Sequence, residues 1–556
     1  MEMNSLKKWY GSGEAAIWLC GAAVSTSVII VFGLLLLIAV NGLAHFWPAQ
    51  VAQFEYRVDQ GSSQLWVGEI RDEELVPTAR ALQSGAWLAQ PDQESQQRLL
   101  VKTGNRDLYG LDFRWLVAGN IDAQEYPADI VVLERLEWGN YYGYLRQVVA
   151  EGGKSVAGSE AVAAMQAALD RTLEIREDIH RIERVEIGRI NYAMEKLRLE
   201  QRRLELDGSL SESAQQDIDS RRQSLNETYG ELQHQLNSLY RDVNRDQLVL
   251  VDAAGRESTI AVGNVVRAYY PNQFTLTEKI GFYFAKVWEF VSDEPREANT
   301  EGGIFPAIFG TVVMVLVMSV LVTPFGVLAA VYLREYATQG PVTRVVRIAV
   351  NNLAGVPSIV YGVFGLGFFV YFLGGNIDSL FYPEVLPAPT FGTPGLLWSS
   401  LTLALLTLPV VIVSTEEGLT RVPRAVREGS LALGATKLET LWRVVLPMAS
   451  PAMMTGMILA VARAAGEVAP LMLVGVVKLA PSLPIDFNAP FLHLDRKFMH
   501  MGFHIYDVGF QSPNVEAARP LVYATALLLV LVIVVMNLTA IRIRNSLREK
   551  YRALEH

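Results

Sequence analysis

The chain holds one cysteine, Cys20, in 556 residues, so no intramolecular disulfide can brace it. Charge is scarce as well: 19% of the residues are Asp, Glu, Lys or Arg, against 51% hydrophobic. There is no basic excess, and a net charge of −10 gives nucleic-acid binding no support. A nucleotide motif is also missing. Gly153-Lys154-Ser155 is the sole Gly-Lys-Ser/Thr, and Val148 stands where a phosphate-binding loop needs a glycine. The chain is therefore not expected to hydrolyse ATP or to carry a cofactor of its own. Histidines number only 7. His500 and His504, with His493 and Asp507 nearby, have a spacing that suits zinc. Phe498–Tyr506 reads instead as an amphipathic loop at the bilayer surface, and no metal site is assigned.

The scarce charge is unevenly spread. Ile17–Ala44, Ile304–Leu333, Ile348–Ile377, Val385–Thr415 and Leu521–Ile541 contain no Asp, Glu, Lys or Arg. About 20 apolar residues in a helix cross the hydrocarbon core. The fourth run opens as a Pro-rich loop and spans from about Gly395. A further segment, Pro451–Val477, carries only Arg463 and Glu467. Six transmembrane helices are predicted. The first is too long and too late for a cleaved signal, and Leu6-Lys7-Lys8-Trp9 precedes it, so a retained anchor is expected. Basic residues flank the spans at Lys7 and Lys8, Arg334 to Arg347, Arg421 to Arg443 and Arg542 to Arg552. These fall on one side if both termini are cytoplasmic, with Arg496 and Lys497 as the minor exception. Leu554-Glu555-His556 resembles a cloning scar and carries no function.

Four regions follow: 1–44, the N-terminus and first span; 45–300, an outer insertion; 301–545, five further spans with a basic loop at 421–450; and 546–556, a cytoplasmic tail. The insertion reads as mixed α+β. Alternation near Phe54–Val58, Leu108–Val117 and Ile130–Trp138 predicts strands, and Gln247–Val262 a hairpin closing the same module. From about 160 to 245 the period changes. Met165, Leu169, Ile175, Ile179, Ile182 and then Ile218, Leu225, Leu232, Leu236 and Val243 recur at helical steps. This predicts an antiparallel coiled-coil hairpin with its tip at Asp207-Gly208-Ser209. Ser209 and Glu212 are placed to form a capping box for the second arm, which would reach roughly 45–50 Å.

Breaking and charged residues cluster at two places among the spans. Asn351, Asn352, Gly355, Pro357 and Ser358 fall inside the third apolar run, where they suit either close helix packing or a cavity lining. Arg463 and Glu467 are the charges embedded within a span, and i, i+4 spacing puts them on one helix face near the bilayer midplane. A lone charge there costs at least about 2.5–3.5 kcal/mol, so such residues face a protein interior or a pathway. An ion pair that serves structure alone is the alternative.

The basic loop carries a spaced pattern. Glu428 is followed by Gly434 six positions on, then by nine residues, then by Val-Val-Leu446-Pro447. This resembles the coupling loop of ABC-importer permeases, Glu-Ala-Ala-x3-Gly-x9-Ile-x-Leu-Pro, with Gly429 and Ser430 departing from the two alanines. Gly355-Val-Pro-Ser-Ile-Val-Tyr-Gly, Leu408-Pro-Val-Val-Ile-Val-Ser-Thr-Glu-Glu and Ala462-Arg-Ala-Ala-Gly-Glu-Val-Ala-Pro-Leu are similar to the PstA-type permeases of the bacterial phosphate-specific importer. The resemblance covers about Gly302 to Arg542 and leaves the insertion outside it.

It implies a type I ABC-importer permease core in the bacterial inner membrane. The implied partners are a PstC-like sister permease, two PstB-like ATPase subunits that hold ATP and Mg, and a PstS-like periplasmic phosphate-binding protein. Glu428, Gly434, Leu446 and Pro447 would serve ATPase coupling, and Arg463 and Glu467 the translocation pathway. Two other readings stay open: a permease for another oxyanion such as sulfate or molybdate, and a membrane sensor with an outer coiled-coil domain.

Overall fold

The structure is a computed structural model that describes residues 12–83, 87–512 and 515–551. Lys7, Lys8, Arg552 and the Leu554–His556 segment lie outside the described residues. Among the described residues six helices are long and apolar enough to cross a membrane: Ala16–Ala44, Phe305–Tyr336, Ser358–Phe381, Leu396–Arg421, Lys437–Gly466 and Ala518–Glu549. The fourth is the hub. Two thirds of its apolar window (67%) is buried, while the first span's window is wholly exposed. On the fourth span Thr402 and Thr407 donate back to their own helix, to Trp398 O at 2.7 Å and Leu403 O at 2.8 Å, while Ser400 donates across to Met314 O of the second span at 3.3 Å. The fourth span packs antiparallel to the fifth through glycines. A Cβ on Gly456 would come within 2.6 Å of Ser414, and one on Gly418 within 2.7 Å of Ala452. Small residues of this kind let backbones approach where apolar side chains gain nothing over lipid.

Two segments differ from the sequence expectation. The third apolar run is divided: an amphipathic helix, Pro341–Leu353, ends before the span starts at Ser358. Pro357 lacks an N–H and drives Val356 away from helix, so Asn351, Asn352, Gly355 and Pro357 form the entrance to the span rather than its interior. The fifth span starts and stops earlier than expected. Its helix ends at Gly466, and Glu467 is extended at φ −80°, ψ 135°. Pro470 explains the stop, because its ring excludes a helix through the residues before it.

Between the first and second spans lies an α+β region. Its first sheet is formed by β1 (Val51–Arg57), β2 (Ser63–Pro77), β3 (Ser95–Lys102), β4 (Phe113–Val117) and β5 (Ile121–Glu125), in the order β4-β3-β2-β1-β5. The second contains β6 (Ile130–Arg135), β7 (Tyr141–Val149), β8 (Ser155–Ala157), β9 (Gln247–Val251), β10 (Glu257–Ala261) and β11 (Val265–Tyr269). Its order is β10-β9-β7-β6-β11, with β8 beside β7. The predicted strands divide between these two sheets, and Leu108-Tyr109 belongs to a short helix. The sheets share a core of Val51, Val67, Ile130, Val132 and Tyr142. Gly153-Lys154-Ser155 lies on the turn from β7 into β8.

A two-helix hairpin rises from the second sheet. One arm runs Ser159–Arg181, a wide π-type turn Ile182–Ile187, then Gly188–Leu206; the other is Glu212–Val243. Ser211 caps the second arm by accepting from Ala214 N, so the cap lies two residues beyond the predicted Ser209. The first arm docks on the loop that follows the fifth span. Arg184 donates to Pro481 O at 2.6 Å and pairs with Glu294 at 2.9 Å, and Tyr192 donates to Ala489 O.

The helix Leu276–Ser292 joins this region to the second span. Its Thr275 and Glu278 form a capping box. Lys286 contacts Glu134 at 2.6 Å and Glu289 at 3.0 Å, and Glu289 also meets Arg296 at 2.6 Å and Arg267 at 3.1 Å. Burial alone would raise the Glu289 carboxyl. The surrounding Lys286, Arg267 and Arg296 outweigh it and hold the group down at about 2.

Candidate functional site

The basic loop folds as two short helices about a glycine turn. Arg424–Ala432 ends with Gly434 N donating to Leu431 O at 2.9 Å and Ala435 N to Ser430 O at 3.3 Å. Those two bonds make a Schellman ending, which needs a left-handed residue, and Gly434 has φ +89°. Thr436 and Glu439 then form a capping box that starts the next helix at Lys437. Side chains fix the pair to the spans. Arg427 pairs with Glu335 at 2.5 Å and donates to Leu419 O. Lys437 donates to Glu335 O and lies 4.4 Å above the Tyr336 ring. Ser430 and Thr440 hydroxyls meet at 2.9 Å, so the departure from alanine at Ser430 ties the two helices together.

What the loop offers outward is apolar. Leu433 is 92% exposed, and Leu431, Leu438 and Trp442 are exposed beside it. Glu428 is exposed on the same loop. Leu446 packs with Leu419, Val422, Leu441, Val445 and Ala449. Leu446-Pro447 does not begin a separate helix. A π-type turn, Leu441–Val445, precedes it and accommodates the proline inside one continuous helix.

At the other end of that helix stand Arg463 and Glu467. Arg463 occupies its last turn, where a cation suits the helix C-terminus. Its Nε lies 3.7 Å from Glu467 Oε1, with side chains 35% and 21% exposed. The expected pairing is therefore present, but across a helix end instead of along one face. In the antiparallel register through Gly456 and Gly418, Ala460, Val461, Ala464 and Ala465 run along the fourth span and share a core with Leu403, Ala404 and Val411. Beyond Glu467 the chain turns at Pro470, which sits against Gly362 of the third span; a Cβ there would come within 2.7 Å of Pro470 Cα. The entrance to that span is closed by Tyr361, whose hydroxyl donates to Leu353 O at 2.5 Å. Asn351, Asn352, Gly355, Pro357 and Ser358 lie on the stretch of chain that leads up to Tyr361.

A cleft of about 460 Å³ opens at the basic-loop end of the spans, lined by Arg334, Arg347, Glu416, Glu417, Thr420 and Arg421. Arg347 bonds Glu416 at 3.3 Å, Gln339 at 3.0 Å and Leu333 O at 3.3 Å. Sequence spacing did not assign Arg347, Arg427 or Glu335 to any site, because their partners are distant in the chain. The signal was present only as unpaired charges at span ends.

The histidine segment corrects the surface-loop expectation. Phe498, His500, Met501 and His504 are buried, and His500 Nδ1 caps the helix Met501–Tyr506 by accepting from Gly502 N at 3.1 Å. Among the described residues no group of three or more His, Cys, Asp or Glu is placed to hold a metal ion.

Residues 322–550 match the family described as "Binding-protein-dependent transport system inner membrane component". The chain is 36% identical over 244 residues to the phosphate transport system permease protein PstA 1 of Mycobacterium tuberculosis (strain CDC 1551 / Oshkosh), covering 44% of this chain and 71% of that protein. It is 38% identical over 199 residues to the phosphate transport system permease protein PstA of Mycobacterium leprae, covering 35% and 60%. Among solved structures, an inward facing MetNI methionine ABC transporter chain aligns at 18% identity with a TM-score of 0.33, covering 43% of this chain and 94% of that one. That score is too low to argue from. On the sequence identity to its relatives, this chain belongs to the binding-protein-dependent transport system inner membrane components, among the PstA-type permeases.

Proposed function

We propose that the chain is a permease subunit of an ATP-driven importer that moves inorganic phosphate across the bacterial inner membrane. The observation that carries this is the identity to proteins named as phosphate transport permeases, which runs over most of their length. On this reading a sister permease completes the pore and two ATPase subunits, holding ATP and Mg, receive the coupling loop. A periplasmic phosphate-binding protein delivers the anion. Both termini and Glu428 face the cytoplasm, and the α+β region faces the periplasm. The apolar tip of Leu431, Leu433 and Leu438 supports docking into a groove of another protein, since an exposed cluster of this kind marks an interaction site. Gly434, Leu446 and Pro447 hold that tip on a continuous helix.

Arg463 attracts the phosphate anion, and Glu467 holds the guanidinium and keeps the empty pathway from trapping the anion. The partial exposure of both and the helix end beside them support this. Asn351, Asn352, Gly355, Pro357 and Ser358 shape the third span's entrance. The test is the pair of variants Arg463→Met and Arg463→Met/Glu467→Leu in proteoliposomes with all partner subunits. A pair that serves structure alone predicts that the double variant recovers transport, because a buried pair replaced by apolar residues often loses no stability. The proposed role predicts a double variant that assembles and moves no phosphate. Uptake near wild type in the double variant sinks it, and sulfate or molybdate uptake in place of phosphate sinks the substrate assignment.

A further inference from the structure

The helix Leu276–Ser292 has its polarity reversed. Leu276, Ile280, Phe284 and Trp288 are exposed by 67%, 43%, 66% and 71%. Steps of four residues keep side chains on one slowly drifting face. Every exposed residue from Ile280 to Trp288 is uncharged, with Gly281 and Ala285 filling the gaps. Lys286 and Glu289 point the other way, into the Glu134, Arg267 and Arg296 cluster under the second sheet. Phe282 stacks on that side too, 4.7 Å from Tyr269. A helix on a soluble surface shows its charges to water and buries its apolar stripe. Here Lys286 and Glu289 are inside and the stripe is outside, with Glu278 exposed only at the capped first turn.

The stripe is also continuous with a lipid-facing surface. Trp47 packs on Tyr283 at 6.0 Å and Phe46 on Phe290 at 5.1 Å, which joins the helix to the end of the exposed first span. Ile304 N donates to Phe290 O at 2.9 Å, just before the second span begins. The helix is therefore held at the ends of two spans, pressed against a folded region on its charged side. Its 17 residues measure ~25 Å. Tied to the sheet along that length, it does not cross a membrane. Trp47, Tyr283 and Trp288, grouped beside the end of the first span, match the Trp and Tyr belt of the bilayer interface.

We propose that Leu276–Ser292 lies in the plane of the bilayer interface, with Leu276, Ile280, Phe284 and Trp288 in lipid, and seats the α+β region on the membrane. The occupant of the stripe is lipid, as for other interfacial amphipathic helices. The inference uses the membrane-spanning character of the chain and not its substrate or which side the α+β region faces.

The test uses the full chain with Cys20→Ser and single cysteines at Ile280, Phe284 or Trp288, each carrying a nitroxide, in phosphatidylethanolamine–phosphatidylglycerol vesicles. Ser209→Cys at the hairpin tip is the aqueous reference. All four positions are exposed, so the labels displace no packed side chain. The expected result is oxygen collision well above, and nickel-chelate collision well below, the values at residue 209 for all three stripe positions. Nickel accessibility equal to that at residue 209 overturns the proposal. Low accessibility to both reagents overturns it as well, since that is the signature of a protein partner covering the stripe.

Discussion

Replacing Gly434 isolates a single backbone angle. The residue sits at φ +89°, and an added Cβ meets nothing within 4 Å. The Cβ itself therefore meets no obstacle, and the first cost of any side chain here is the left-handed conformation. That penalty is about 1–2 kcal/mol for an ordinary L-residue. A β-branched side chain sits at the upper end, whereas Asn tolerates this region. About 1–2 kcal/mol lowers the population of the native turn roughly 5–30-fold. The neighbouring contacts (Arg427 with Glu335, Ser430 with Thr440, the Thr436 capping box) stay available, so the protein still inserts. On the proposed function, phosphate uptake and stimulated ATP hydrolysis are measured in proteoliposomes that hold the proposed partner subunits. Gly434→Val is expected to lose both, and Gly434→Asn to keep most of each. Normal uptake by the valine variant refutes the reasoning. Equal loss by valine and asparagine points to bulk on the docking surface and removes the backbone argument.

Two further outcomes follow from the α+β region. The Glu289 carboxyl, held at about 2 against an ordinary 4.5, gives stabilisation that is full above pH 4.5 and falls away as the pH drops toward 2. The linked loss is on the order of 3 kcal/mol, read as a falling thermal midpoint between pH 5 and 3 that Glu289→Gln flattens; an unchanged slope in that variant counts against the cluster. On the proposed topology a cysteine at Gly208 in a Cys20→Ser background is labelled from outside intact cells and one at Ser430 is not, and the reverse pattern removes every side assignment.

The spans were legible because charge-free runs are long and the bilayer sets a minimum length. The fourth span's start near Gly395 was readable from the proline-rich stretch before it, and the helix begins at Leu396. Local chemistry decided the misreadings. Hydropathy does not see a proline as an end, so Pro357 and Pro470 shifted the third and fifth spans and turned a presumed i, i+4 pair into a pair across a helix end. The Gly434 turn was visible from spacing, since only a few residue types accept positive φ. Its anchors, Glu335 and Leu419, were not, because nothing in a periodic pattern links a loop to span ends far away in sequence. The histidine segment misled for a related reason. Alternating Phe, Met and His resembles a surface stripe, yet His500 spends its ring nitrogen on a helix N-terminus, which satisfies a polar group in a buried place.

The two proposed working ends of this chain lie on one element. Lys437–Gly466 is a continuous helix, ~45 Å long, with the coupling turn before its first residue and Arg463 in its last turn. Gly418 and Gly456 bring it close against the fourth span, and a Cβ at either would overlap Ala452 or Ser414. Tight packing resists bending within the contact, so the stretch from Ala452 to Gly466 moves as a rod, while the π-type turn Leu441–Val445, Pro447 and Pro451 before it are the places where this helix can flex. A displacement that passes to this stretch is then expressed where the rod stops, at Gly466. There the chain from Glu467 to Pro470 has no helical ladder to resist a change. The Arg463–Glu467 contact, at 3.7 Å, spans that joint and is the first to alter. On the proposed reading, ATP-driven movement of the coupling loop therefore changes the spacing of the two charges and thereby the hold on an anion. Nitroxide labels at Leu459 on the rod and Met472 beyond the joint, both exposed, report that motion. Their separation is expected to change between nucleotide-free and ATP-trapped transporter, and an identical distance distribution in the two states rules the rod mechanism out.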